Sequence, residues 1–396
     1  MRRAGKRLTV ALATLIFAGV VAACSSSGGS AAPSNGASAG STGTSSAAAA
    51  YVASAKAFFV AHAKPTSFSG GTPFKPPTGK HIGVVSCDQG NPACADIAQA
   101  AQQAGDVLGW TTTVVDGKGT VVGFNEGMQQ LIQDHVNGIF LDAIPDDAVV
   151  QGLNAAFAAH IPVISLGAGT LLSAPVQHPS IASIDQPYAL MGQMQGDFMV
   201  MASNGTAKAA FMEDNQIPAL EKIETTAIGV LKACTGCTVD ATVEVGTPTN
   251  FTSSAAAQTQ ALLSRYPKGE LDYIVPLTDG MTSGVTQALN AARRTDVKNV
   301  SDGCTPGLTP GLDQMFNKSG PTVYCTTPPN DWYSWAGVDQ MARHFANLPV
   351  HNIEIGVSFW TLSTLPSSNP TSVAPGSAYY PFNWATYYKK LWGITT

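Results

Sequence analysis

Four aspartates, Asp88, Asp185, Asp279 and Asp302, stand at or just beyond the ends of short β-rich runs, with Ser86 and Asn91 beside the first of them. An ionised carboxylate accepts two hydroxyl donors, a side-chain amide donates and accepts, and a serine hydroxyl does either. Converging on one cleft, these groups would recognise a small, hydroxyl-rich molecule. The same residue types also cap helices and fix turns, which is the plainer role for each. Reaction chemistry has no comparable set. G-x-S-x-G, H-E-x-x-H and P-loop patterns are absent, the seven histidines are scattered, and the pair Asp146-Asp147 reads as a helix cap. With no nucleophile, base and orienter in sight, the expectation is a binder and not an enzyme, with no cofactor and no metal.

The N-terminus sets the compartment. Arg2, Arg3, Lys6 and Arg7 precede an apolar run from Leu8 to Ala23, a basic region followed by a hydrophobic one. The run is shorter than the ~20 residues that span a bilayer. It ends in Val21-Ala22-Ala23-Cys24, which resembles the lipobox of bacterial lipoproteins and implies lipidation of Cys24. The protein is then expected to be exported and held by its lipid on the outer face of the cytoplasmic membrane. Residues 24–50 are almost wholly Ser, Gly, Ala and Thr, a composition that cannot offset its ordering entropy. They should form a flexible linker spanning about 25–30 Å. A helical lead-in over Tyr51–Ala63 and an extended, proline-rich stretch to residue 79 complete the approach. The chain has 21 basic and 26 acidic side chains; loss of the four leader bases leaves a net charge of −9. An acidic surface without a Lys/Arg cluster argues against nucleic acid as a partner.

Six further cysteines, Cys87, Cys94, Cys234, Cys237, Cys304 and Cys325, suggest disulfides in an exported chain, with 15 possible connectivities. Cys234-Thr235-Gly236-Cys237 also fits a redox CxxC. Such a site needs its first thiol at a helix N-terminus, whereas this motif follows a helix. No second pair lies at zinc-ligand spacing.

These groups need elements to position them. From Lys80 the sequence alternates strand and helix: strands at 80–86, 110–116, 138–141 and 161–166, helices at 96–108, 127–133 and 149–159. After residue 185 the pattern restarts, with helices at 191–201, 217–232, 253–266, 281–293 and 335–347, and strands at 207–212, 238–245, 272–276, 298–301 and 323–326. Such alternation calls for parallel βαβ units with right-handed crossovers. Two doubly wound α/β sheets put a ligand beyond the strands' carboxyl ends, in the cleft between lobes.

Residues 80–347 resemble the type I periplasmic binding proteins, specifically the ribose-binding-like sugar receptors of ABC importers. Gly90-Asn91-Pro92 is similar to the family's first ligand loop. Ala143–Ala148 and Ala158–Ile164 are similar to two successive strand regions, and Ile181–Asp185 to the first lobe crossover. Leu277–Met281 and Val300–Gly303 are similar to second-lobe ligand loops, and Tyr380–Gly393 to the tail of some solute-binding lipoproteins. The resemblance implies two lobes joined by a three-strand hinge, crossed near 184, 328 and 355. The lobes would comprise 80–184 with 329–355, and 185–328 with 356–396, behind a leader (1–23), a linker (24–50) and a lead-in (51–79). It also implies a monosaccharide or polyol as ligand, and an ABC permease with its ATPase as partners. A receptor presenting its ligand to a sensor kinase is the alternative. Three sugar contacts depart from the family pattern. Ala93 and Cys94 replace stacking aromatics, Gly167 replaces a carboxylate, and PALEKIETTAIG lacks an Arg. Trp332, with Tyr333 and Trp335 beside it, is the expected substitute aromatic. Since a bridge between lobes would lock a hinge, the two-lobe resemblance favours Cys87–Cys94, Cys234–Cys237 and Cys304–Cys325.

Overall fold

The computed structural model describes residues 42–63, 71–246, 250–305, 309–327, 329–367, 375–377 and 379–394. The leader, Cys24 and the linker up to residue 41 lie outside the described residues.

The first sheet collects β1 (His81–Ser86), β2 (Thr111–Asp116), β3 (Gly138–Asp142), β4 (Val163–Leu166) and β5 (Ala182–Asp185). The helices between them are α2 (Pro92–Val107), α3 (Val121–Gln133) and α4 (Val150–Ala158); α1 (Thr42–His62) precedes the sheet. The second sheet collects β6 (Lys208–Glu213), β7 (Thr238–Glu244), β8 (Tyr273–Val275), β9 (Lys298–Asp302) and β10 (Thr322–Thr327). Its helices are α5 (Tyr188–Ala202), α6 (Pro218–Ala233), α7 (Phe251–Arg265), α8 (Asp279–Ala292) and α9 (Gly311–Asn317). The chain then returns through α10 (Asn330–Phe345), β11 (Ile353–Glu354), β12 (Ser358–Thr361) and α11 (Trp384–Leu391). The strand orders are β2-β1-β3-β4-β5-β11 and β7-β6-β8-β9-β10-β12. All pairings are parallel except β10 with β12. This is the doubly wound, two-lobe α/β architecture that the alternation implies. β3, β4 and β8 are buried along their whole length, as strands covered by helices on both faces must be.

Local signals explain where elements begin. Asn91 accepts the Ala93 N–H and Pro92 opens α2, four residues earlier than apolar periodicity suggests. Thr120 caps α3 at Gly123 N–H, so that helix starts well ahead of residue 127. α1 also starts early: residues 42–50, expected as linker, continue the helix upstream because the run Ala47–Ala50 favours it. α10 begins at Asn330 and not Trp335, so the whole DWYSW segment is helical.

The first sheet and α10 form one side of the hinge, the second sheet the other. α1 packs on the second sheet's helices. Tyr51 hydroxyl donates to Val230 carbonyl at 2.9 Å, and Phe59 meets Phe198 and Tyr324 at 6.3 and 6.2 Å. Residues 71–79 lie against the first sheet's helices: Arg343 donates to Thr72 carbonyl and stacks over Phe74, and Trp110 Nε1 donates to Pro77 carbonyl. The assignment of 356–396 to the second lobe needs correcting. β12 joins the second sheet, but α11 lies on α10. Trp392 stacks on Trp335 and donates to Asp339 at 2.9 Å, and Trp384 stacks on Trp332 at 5.7 Å. The tail's indoles find ring partners on α10, while Tyr379 just ahead of them packs on Trp360 of β12 and Phe316 of α9. One hydrophobic cluster thus runs from Ile82, Ile97 and Phe140 of the first lobe through this aromatic stack to Leu312, Cys325 and Trp360 of the second.

All six body cysteines are bridged within a lobe, as Cys87–Cys94, Cys234–Cys237 and Cys304–Cys325, with Cα separations of 5.8, 5.3 and 5.7 Å. The CxxC is therefore a closed disulfide between α6 and β7. Among the described residues no helix is long and apolar enough to cross a membrane.

Candidate functional site

The loops at the carboxyl ends of both sheets enclose a cavity of about 380 Å³. From the first lobe come Asn91, Ala93 and Ile97 after β1, Thr120 and Phe124 after β2, Pro145 after β3 and Gly167 after β4. The second lobe supplies Asp214, Gln216 and Leu220 after β6, Phe251 after β7, Asp279 after β8 and Asp302 after β9. Gln186 and Tyr188 enter from the first crossover, Asn330 and Tyr333 from α10. A cavity walled by both lobes at strand carboxyl ends is where an open α/β sheet binds ligands.

Asp279 and Asp302 are brought together by backbone close approach. Gly303 sits at φ +91, and a Cβ there would lie 2.7 Å from the Asp279 nitrogen, so only glycine lets the two strand exits meet. Asp279 opens α8, whose N-terminus Thr278 caps, and both its oxygens accept from Thr305, from the amide at 2.7 Å and the hydroxyl at 2.9 Å. Burial still lifts its carboxyl to about 6. Asp302 is 4% exposed, and its Oδ1 has no hydrogen-bond partner among the described residues. Burial, with the Asp279 charge adding to it, pushes this carboxyl up to about 8, so it is largely protonated at neutral pH. Asp214 is raised to about 6 by burial; one oxygen accepts from the Gln216 amide and Oδ2 has no partner.

The expected ligand set divides. Asn91, Asp279 and Asp302 line the cavity; Asn91 also spends its amide oxygen on the α2 cap. Ser86, Asp88, Asp185 and Trp332 do not line it, and each has a structural employment instead. Ser86 is fully buried at the end of β1 and donates to Asp142 across the sheet at 2.9 Å. Asp88 folds back on its own turn and accepts from Gly90 N–H at 2.8 Å. Asp185 is consumed by the Gly169 amide, the Ser183 hydroxyl and the Tyr188 hydroxyl. Trp332 lies in the α10–α11 aromatic stack, 1% exposed. Successive residues on a helix point about 100° apart, so its neighbour Tyr333 faces the cavity while Trp332 faces the tail. The Tyr333 ring lies over Gly167, where φ is +68 and a Cβ would sit 3.1 Å from the ring. An aromatic thus fills the space opened by the glycine that replaces the family's carboxylate. Burial, with the Asp185 charge next, holds the Tyr333 phenol well above its ordinary value, so it stays a hydroxyl donor.

Asp214 escaped the sequence reading although it obeys the same rule, an acid just past a strand's end. Gln186 and Asn330 carried no distinguishing signal. Among the described residues one group is close enough to hold a metal, Cys87, Cys94 and Asp142, and its two thiols are tied in a disulfide.

The periplasmic binding protein domain model matches residues 82–314. The chain belongs to this family. Membership makes it an extracytoplasmic solute-binding protein and not an enzyme. No curated protein matches the chain in sequence. Solved structures do. An ABC sugar transporter subunit from Rhodobacter sphaeroides 2.4.1 is 20% identical, with a TM-score of 0.63 over 72% of this chain and 98% of that one. A 5-methylthioribose transporter solute-binding protein from Thermotoga lettingae, in complex with 5-methylthioribose, is 17% identical, with a TM-score of 0.67 over 81% and 100%. An ABC transporter solute-binding protein from Burkholderia graminis, in complex with D-arabinose, is 17% identical, with a TM-score of 0.65 over 75% and 100%. At these identities the likeness is one of fold.

Proposed function

We propose that this periplasmic binding protein is the lipid-anchored solute-binding subunit of an ABC importer. It takes a monosaccharide or polyol into the inter-lobe cavity and delivers it to a membrane permease that works with a separate ATPase. The observation that carries this reading is the cavity itself, walled from both lobes by loops at strand carboxyl ends. Asn91 and Tyr333 on one side, and Asp214, Asp279 and Asp302 on the other, supply the donors and acceptors that hydroxyls require, while Phe124 and Phe251 offer apolar ring faces. A ligand reaching both sets stabilises the closed lobes over the open ones, because only closure makes all the contacts. The sugar-binding neighbours support this ligand class. Anchoring rests on the Cys24 lipobox.

The test is a thermal-shift screen of residues 42–396 against sugars, polyols, amino acids and nucleosides. A true ligand at 100 times its Kd adds about 2.7 kcal/mol of stability, and the melting temperature rises accordingly. A response confined to amino acids or nucleosides would sink the sugar reading while keeping the binding-protein one.

A further inference from the structure

We propose that the ligand carries an ammonium group, an amino sugar or amino polyol and not a neutral one, and that Asp302, with Asp279 and Asp214, receives it. This rests on the cavity being the ligand site and narrows the class of what enters it. Among the described residues three carboxyls line the cavity, all from the second lobe, while no lysine, arginine or histidine does. A buried carboxyl ionises readily only beside a positive counter-charge, and the described cavity lining provides none. Two of the three carboxyls are also unfinished as hydrogen-bonding groups. Asp302 and Asp214 are 4% and 1% exposed, and each has an oxygen without a partner. Asp279, by contrast, already accepts one hydrogen bond from Thr305 at each oxygen and offers only its remaining lone pairs.

A neutral polyol would offer hydroxyls to these oxygens but no counter-charge that lets Asp302 ionise. An ammonium brings three N–H donors and the missing positive charge in one group. The remaining lining suits the rest of such a molecule, with Phe124 and Phe251 as aromatic residues and Asn91 and Tyr333 as polar ones. Ring faces add to the attraction for a cation near them. Burial is the first cause of the raised Asp214 and Asp302 values, and a bound ammonium would bring both down.

Matched pairs test the proposal by calorimetry and thermal shift: D-glucosamine with D-glucose, D-galactosamine with D-galactose, and 1-amino-1-deoxysorbitol with sorbitol. The expected result is that at least one amine binds at least about tenfold tighter than its hydroxyl partner, the scale of one charge-assisted hydrogen bond. Asp302→Asn should remove that preference, bringing each amine's Kd to within about threefold of its neutral partner's Kd in the same variant; Asp214→Asn should weaken the amine too. Neutral members binding as tightly as their amines would overturn the ammonium assignment and leave the sugar receptor standing. Amine preference that persists in both variants would overturn the placement on these carboxyls. Failure of every sugar and amine to bind would overturn both the proposal and the sugar reading beneath it.

Discussion

Asp302 is held neutral by its surroundings, and that has a sign. Its folded value, about 8, lies above the ordinary carboxylate range, with the Thr326 hydroxyl opposing burial and the Asp279 charge reinforcing it. A group raised on folding binds more protons folded than unfolded, so its stability is fully present below about pH 4 and is lost as pH rises toward 8. Asp302→Asn should flatten that loss. Its advantage in urea midpoint over wild type is expected to grow from pH 5 to pH 8, at no more than about 1.4 kcal/mol per pH unit; a constant difference would mean the carboxyl titrates normally. Tyr333 and Trp332 make a paired prediction. Tyr333→Leu should weaken ligand binding by about tenfold with modest effect on folding. Trp332→Ala should cost about 3–5 kcal/mol in urea denaturation and barely change Kd for the folded fraction. At this scale the sequence was half legible. The strand-end rule found Asn91, Asp279 and Asp302, yet a rule about position along the chain says nothing about which way a side chain turns. Asp185 satisfies it too and spends itself on Gly169, Ser183 and Tyr188. Trp332 and Tyr333 differ only by one helical step.

The first ligand loop is an element small enough to be shaped by one bond. Cys87–Cys94 closes the turn that carries Asn91 into the cavity. Replacing both cysteines by serine should cost about 2–3 kcal/mol by loop-closure entropy. Ligand affinity should fall as well, because Asn91 is then no longer held in place; isothermal titration and urea curves on the same sample separate the two effects. Most elements were readable because parallel strands buried on both faces are short apolar runs, and the helices between them alternate regularly. Helix starts were less readable. Thr120 and Asn91 set them by side-chain capping, while apolar periodicity begins only a turn or more later. The pieces β11, β12, α9 and α11 are too short to stand out in the strand–helix alternation, although α11 buries Trp384, Tyr388 and Leu391 at helical spacing. They are specified by what they pack against: β12 pairs with β10, and α11 rests on α10 through its indoles.

At the scale of the molecule, each lobe has a core of its own, and a third cluster joins the two. The cluster that includes Ile97 and Phe140 on one side and Leu312 and Trp360 on the other is continuous through α10 and the tail. Calorimetry should therefore give one unfolding transition, with a ratio of calorimetric to van't Hoff enthalpy near about one; two resolved peaks would mean that the lobes melt independently. Removing the tail stack should split it: Trp384→Ala is expected to cost about 3–5 kcal/mol and broaden the transition. Attachment is tested by Cys24→Ser, which should move the protein from the membrane fraction to the soluble one, as a single lipidated residue is the only anchor proposed. The shared cluster has a further consequence. All six tryptophans of the chain, Trp110, Trp332, Trp335, Trp360, Trp384 and Trp392, belong to it. The protein thus carries its own optical gauge: every indole sits in the cluster that both lobes share, so a shift in emission wavelength on adding solute is expected to report rearrangement there without any label.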